Sequence, residues 1–371
     1  MRTASRYLEF RHPMRVFGSP HRYYQGPDVF DELGPIVAAF GPRPLIVVDA
    51  FMLEALRGRL EATVARASLK AIVKPFAGEI TYAAIAGMIA DLNGAVPTAA
   101  VGIGGGKSLD AAKGIALQLG LPVVTVPTIA SNDSPTSSVI AMYDASHVMI
   151  SVDKLPRSPE AVVVDTAIIA KAPARLLRAG IGDAVAKKFE AEGCLMGTGR
   201  TPFGTRPLHT AIVIADACYQ TLRAHAADAL AAVEQQRVNE ALEYVVEATI
   251  LMSGLGFENG GLSLAHSMTR GLVKARGARD AIHGDQVAYG LLVQLAFENR
   301  PDTFLADLLK FYRSIGLPFS LAGLGMAQPT NDEVIEIARL TMTAPHLANV
   351  RPTATEDGVA EAVRRVERLA A

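Results

Sequence analysis

Residues 98–115 read TAAVGIGGGKSLDAAKGI, and the fold follows from how this stretch begins and ends. A continuous apolar run closes at Ile103, the glycines Gly104, Gly105 and Gly106 follow, and a helical pattern starts near Ser108. The glycines let a ligand approach the backbone with no Cβ in the way. The helix start offers unpaired N–H groups and the positive end of the dipole to a pyrophosphate. Lys107 adds a charge or a donor at the same place. The cluster is neither the dinucleotide fingerprint with glycines at first, third and sixth positions nor a Walker loop. Taken alone, it is also readable as a tight strand-to-helix turn.

Outward from this stretch, short β-branched runs alternate with helical segments. Leu45–Val48, Ala71–Val73, Thr98–Ile103 and Val123–Val126 read as strands, with helices over 51–67, 82–92 and 109–119 between and after them. Strands spaced by helices of this length predict a parallel sheet built from crossover units. A further strand pair is expected around Val148–Val152 and Val162–Val164. Past Thr166 the texture changes to long alanine- and leucine-rich helical stretches, such as 211–232 and 237–251, with Pro173 placed to open the first of them. Two domains are expected: an α/β domain over 1–172 and an all-helical domain over 173–371.

The bulk numbers agree with a folded protein that has a large core. The chain has 371 residues, of which 50% are hydrophobic and 20% charged, with a net charge of −1. No strong field advertises nucleic acid or an anionic membrane as partner. Two cysteines, Cys194 and Cys218, are too few for a disulfide framework. The arginine-rich start lacks the apolar core of a secretory signal, and no apolar run approaches the roughly 20 residues that span a bilayer. A soluble, cytoplasmic protein is expected.

Three polar residues stand in unusual settings. His266 lies in a helix that follows glycine-rich punctuation, and His283 lies just ahead of an apolar helix. Asp183 sits in RAGIGDAVAKK, read as the glycine-rich start of a helix. Two imidazoles and a carboxylate are a common shell for a catalytic zinc, leaving a fourth position for water or substrate. The plainer reading is a capping aspartate and two hydrogen-bonded core histidines, and spacing across this much chain does not choose between them. His12, His21, His147, His209, His225 and His346 are read as structural or surface residues. Asp49, directly after the first long strand, can accept hydrogen bonds from an adenosine ribose, and its charge favours NAD over NADP.

Six segments carry a resemblance: VGIGGGKSLDAAK (101–113), VPTIASNDSPTSS (126–138), VVDTAIIAKAP (163–173), GIGDAVAKKFEA (180–191), SGLGFENGGLSLAH (253–266) and HGDQVAYGLLVQLAFEN (283–299). In this order they resemble the glycerol dehydrogenases of the iron-containing (group III) alcohol dehydrogenase superfamily, which shares its fold with dehydroquinate synthase. The resemblance covers nearly the whole chain from about Phe17. It implies a Rossmann-like α/β domain with a parallel sheet, a helical domain, and an active site in the cleft between them. It implies that Asp183, His266 and His283 hold zinc, with iron the lesser alternative. By the same token Asp49, Gly105, Gly106, Lys107, Thr128, Ser131, Ser137, Val139 and Tyr143 line an NAD site, and Asp133 hydrogen-bonds a substrate hydroxyl. The implied reaction is oxidation of glycerol, or a related vicinal diol, to dihydroxyacetone or another hydroxyketone. A homo-oligomer, commonly an octamer, is the implied assembly.

The chain departs from that pattern at two places. Asn132 stands where threonine or serine is usual. Arg270, four residues after His266, stands where glycerol dehydrogenases carry asparagine and many iron-dependent relatives a histidine. The missing histidine favours zinc. The guanidinium suits a carboxylate or phosphate on the substrate, or else pairs with a nearby acid such as Asp285 or Glu258 or points to solvent. Beside the diol reading therefore stands a dehydrogenase for a 2-hydroxy acid or phosphorylated polyol. More distant readings are a non-catalytic binding protein that kept the fold and a lyase or synthase using NAD transiently.

Overall fold

The structure, a computed structural model, describes residues 14–145 and 149–370. By its contacts the chain divides into two units: residues 18–172 with 235–239, and residues 173–234 with 240–370 and the few residues before 18.

Among the described residues the first unit carries eight strands: β1 (Arg22–Gly26), β2 (Pro44–Asp49), β3 (Ile72–Phe76), β4 (Ala99–Gly104), β5 (Val123–Pro127), β6 (Val139–Tyr143), β7 (Met149–Lys154) and β8 (Ala161–Asp165). Its helices are α1 (Leu33–Ala38), α2 (Ala50–Arg66), α3 (Tyr82–Ala90), α4 (Gly106–Leu119) and α5 (Thr166–Ile169). Six strands form one sheet in the order β1-β8-β5-β4-β2-β3, every pair parallel. Side chains alternate along β2, so Leu45 and Val47 join a core with Ile85, Ala111 and Ile115, while Ile46 and Val48 join another with Leu56 and Leu60. Burial on both faces is why these strands read as unbroken apolar runs. The sheet winds from β2 to β3 on one side, then crosses to β4 on the other. The carboxyl ends of β2 and β4 therefore flank the point where strand order reverses, the place where open α/β sheets bind ligands.

One expectation about strands needs correction. The strands predicted around residues 148–152 and 162–164 do not pair with each other. β7 pairs antiparallel with β6 in a separate ribbon, and β8 pairs parallel with β1 and β5 in the main sheet. The difference lies in their burial: β8 is buried throughout, whereas Ile150 and Val152 of β7 are exposed. Val148 lies outside the described residues.

The described residues of the second unit contain helices and no strand: α6 (Ala174–Val185), α7 (Lys187–Met196), α8 (His209–Glu234), α9 (Glu240–Glu247), α10 (Ser253–Gly260), α11 (Leu264–Leu272), α12 (His283–Phe297), α13 (Asp302–Ile315), α14 (Asn331–Thr341) and α15 (Glu356–Ala370). The central one is α12, buried from Gly284 to Phe297 except at Asp285, with α6, α11 and α15 packed around it. A helix apolar on all sides belongs inside a bundle. Among the described residues, no helix is long and apolar enough to cross a membrane.

Asp183 is not at the start of a helix, as its glycine-rich context suggests, but in the last turn of α6. The glycines serve packing. A Cβ on Gly182 would lie 2.6 Å from the carbonyl oxygen of Gly284, and one on Gly284 would lie 1.8 Å from that of Ala179. Their absence lets the backbones of α6 and α12 touch.

Candidate active-site residues

In the first unit, Val48 of β2 pairs with Ile103 of β4, so Asp49 and Gly104 leave the sheet side by side. A Cβ on Gly104, whose φ is +145°, would sit 2.7 Å from the Cβ of Asp49. Asp49 caps α2 by accepting the Phe51 N–H at 3.0 Å. Gly105 caps α4 with no side-chain hydrogen bond to the first turn, so the first N–H groups of α4 are of the kind that can receive an anion. The Thr128 N–H donates to the Gly104 carbonyl at 3.0 Å, and the Asn132 amide lies where a Gly106 Cβ would be 3.2 Å away. Asp49, Gly105, Gly106, Thr128 and the 131–133 segment thus gather at the reversal point. Lys107 does not reach over this turn, because its ammonium pairs with Glu79 at 2.8 Å.

The segment from Ser131 to Val139 is held from below by two residues that the sequence reading passed over. Lys113 is fully buried and donates to Asp110 at 3.0 Å, to the Ser134 carbonyl at 2.6 Å and to the Val139 carbonyl at 3.0 Å. The other carboxylate oxygen of Asp110 accepts the Ala141 N–H at 3.0 Å. A buried ion pair with every donor used fixes the loop that carries Asp133 and Ser137, both buried. Tyr143, at the end of β6, has its hydroxyl pKa raised by burial and by the charges of Glu79 and Asp110.

In the second unit, Asp183, His266 and His283 converge: each offers a ligand atom, and these atoms all lie within 4.8 Å of one another. Asp183 comes from α6, His266 from α11 and His283 from the first position of α12. The imidazole rings are 5.5 Å apart, and His266 Nε2 lies 3.1 Å from Asp183 Oδ1. Glu190, fully buried on α7, accepts His266 Nδ1–H at 2.7 Å and also the His266 and Ser263 N–H groups at 3.0 and 2.8 Å. That bond fixes the tautomer and aims Nε2 at Asp183, the outer support a metal-bound histidine needs. One carboxylate and two imidazoles suit a four-coordinate divalent ion with a position left open. Among the described residues no fourth histidine, cysteine or acid joins this group.

A cation already borders the cluster. Lys187, one turn after Asp183, places Nζ 2.9 Å from Asp183 Oδ1 and 3.2 Å from His266 Nε2, with its side chain 1% exposed. Burial opposes ionisation of Asp183, but Lys187 and His266 outweigh it and hold the carboxyl below its usual range. Burial likewise opposes charge on His266, and Glu190 with Asp183 overcomes it, raising its pKa to about 9. Asp183, Lys187 and Glu190 recur at i, i+4 and i+7, one face of a helix. Neither Lys187 nor Glu190 is singled out from the sequence; this spacing, carried across the junction of α6 and α7, is the signal that could have found them.

His346 is also near. Burial pushes its pKa down to about 4, and the charges of His266 and Arg270 add to the effect. His12 and His147 lie outside the described residues. Arg270, half-buried on α11, forms no hydrogen bond or ion pair among the described residues, neither with Asp285 nor with Glu258.

Comparison with known proteins places this chain. The model of the iron-containing alcohol dehydrogenase family matches residues 20–166. A glycerol dehydrogenase of Escherichia coli O6:H1 is 40% identical over 314 residues, 85% of this chain and 86% of that protein. A glycolaldehyde reductase of Halobacterium salinarum is 36% identical over 326 residues, 87% of this chain and 88% of that one. The crystal structure of a probable glycerol dehydrogenase from Sinorhizobium meliloti 1021 superposes with a TM-score of 0.89 at 34% identity, covering 96% of this chain and 99% of the other. The chain belongs to the iron-containing alcohol dehydrogenase family, among the relatives of the glycerol dehydrogenases, and is a metal-containing alcohol dehydrogenase.

Proposed function

We propose that the enzyme oxidises a vicinal diol of the glycerol type to a hydroxyketone, with NAD as hydride acceptor and zinc held by Asp183, His266 and His283. The observation that carries the reading is the convergence of those three donors from three helices, with Glu190 fixing His266 behind them. A divalent ion bound there supplies Lewis acidity that lowers the pKa of a substrate hydroxyl. Zinc is favoured because the cluster has three protein donors and, among the described residues, no third histidine, with Arg270 where an additional imidazole would be expected. NAD is favoured over NADP because Asp49 presents a carboxylate at the crevice, where a 2′-phosphate would be repelled. Gly105, Gly106 and the first turn of α4 receive the pyrophosphate, Thr128, Ser131, Ser137, Val139 and Tyr143 line the rest, and Asp133 hydrogen-bonds a substrate hydroxyl. Lys107 contributes through its charge, since its ammonium is engaged with Glu79. We propose a cytoplasmic homo-oligomer; that Cys194 and Cys218 are buried and not joined in a disulfide is in keeping with a reducing compartment.

The test is NADH formation by zinc-loaded protein on glycerol, 1,2-propanediol, glycerol phosphate and several 2-hydroxy acids, each with and without chelator. Chelator-sensitive turnover of the neutral diols is expected; turnover that survives full removal of the metal would sink the proposal. Glu190→Gln is expected to weaken zinc binding by roughly 10–100-fold, as losing an outer-shell partner does. Titration of metal-free variant and parent against a competing dye reads this directly.

A second reading rests on Arg270. A half-buried guanidinium without an ion-pair partner, four residues along α11 from His266, suits an anionic group on the substrate. In that case Arg270→Asn lowers kcat/KM for the anionic substrate by roughly 10–100-fold, the worth of a charge-assisted bond, and spares glycerol. Equal losses on both would eliminate anion recognition by this residue.

A further inference from the structure

We infer that Lys187 is a built-in competitor of the metal: its ammonium, set between Asp183 and His266, neutralises the carboxylate, keeping the metal-free protein folded and weakening divalent-ion binding. The inference rests on the proposed assignment of Asp183, His266 and His283 as ligands. Lys187 Nζ touches two of the three donor atoms, at 2.9 Å from Asp183 Oδ1 and 3.2 Å from His266 Nε2. An ion bonded to that oxygen at roughly 2.0–2.2 Å would lie within about 5 Å of Nζ whatever its direction. Like charges at that distance repel strongly in a buried setting.

The side chain has little room to move away. It is 1% exposed, starts α7 immediately beside α6, and its ammonium lies 5.7 Å from the Phe257 ring centroid. The carboxylate of Asp183 is itself 2% exposed. Without Lys187 or an ion, its compensation would fall to His266 and His283, and a buried carboxylate that loses one partner is destabilised. Lys187 thus makes the metal-free state tenable and the loaded state less favourable than three donors alone would make it. A residue with only a packing role would affect stability without tightening the hold on zinc.

The experiment is a zinc titration of metal-free wild type, Lys187→Met, Lys187→Gln and His283→Ala against a competing dye, with thermal melting of each with and without zinc. Lys187→Met removes the charge and keeps the length; Lys187→Gln keeps a donor for Asp183 and serves if the methionine variant does not fold without metal. Both are expected to bind zinc at least about tenfold more tightly than wild type. Both are expected to melt lower than wild type without zinc and to gain more from it. Equal or weaker zinc binding by the folded variant overturns the inference while leaving the ligand assignment standing. If wild type and His283→Ala bind zinc alike, the assignment itself falls, and the competition with it.

Discussion

Replacing His283 with alanine is expected to lower kcat/KM for the diol by about a thousandfold and to reduce bound zinc to a small fraction of one per chain. The size follows from losing the several kcal/mol that a Lewis acid contributes to the transition state, at about 1.4 kcal/mol per factor of ten. His283 is the cleanest of the three positions to test. It is exposed, at the first position of α12, whereas Asp183 is buried and His266 half-buried. Because the side chain is exposed, its truncation should lower the melting temperature of the metal-free protein less than a change at Asp183 does. Asp183→Asn removes the same metal but leaves the Lys187 ammonium, 1% exposed, without its carboxylate. That variant should lose several kcal/mol of stability as well. Activity of His283→Ala within tenfold of wild type would exclude His283 as a ligand, whatever the metal content of the preparation.

The contrast between these two variants also marks what was legible in the sequence. The parallel sheet was readable because β2, β4, β5 and β8 are buried on both faces and so appear as unbroken apolar runs. The glycine-rich turn after β4 was readable because Gly104 needs its positive φ beside Asp49, a demand that leaves glycine in the sequence. The convergence of Asp183, His266 and His283 was not derivable from spacing, since helix packing makes it, and it came instead from resemblance. The partners were missed for different reasons. Asp110 and Lys113 lie in a helix whose other buried residues are small or apolar, and their purpose shows only when the 131–139 loop is seen folded onto them. For Arg270 the sequence leaves a substrate anion, an acidic partner and solvent all open, and the fold provides no ion-pair partner among the described residues. The glycines around Asp183 were taken for a helix start because glycine is a poor helix former. In fact a neighbouring backbone occupies the space where side chains would be.

That last point yields the second large effect: Gly284→Ala is expected to destabilise the protein by about 3 kcal/mol or more and to loosen zinc binding at the same time. The added methyl would lie 1.8 Å from the carbonyl oxygen and 2.5 Å from the carbonyl carbon of Ala179. Both atoms are backbone, so no rotamer change relieves the overlap, and α6 and α12 must move apart by more than an ångström. Overpacking of this kind sits at the upper end of about 1–3 kcal/mol or beyond, which corresponds to roughly 6–12 °C in Tm for a unit of this size. The same displacement acts on the ligands, because Gly284 follows His283 directly and Ala179 precedes Asp183 by one turn on α6. Zinc affinity should therefore fall although no donor has been altered. Gly58→Ala is the control: Gly58 lies within α2, and nothing comes within 4 Å of its added Cβ. By helix propensity it should stabilise by roughly 0.5–1 kcal/mol and leave zinc binding alone. If Gly284→Ala melts and binds zinc like wild type, contact between the two helix backbones is not what sets the distance between Asp183 and His283. A loss of both, with the Gly58 variant unaffected, would tie the geometry of the site to this backbone contact between α6 and α12.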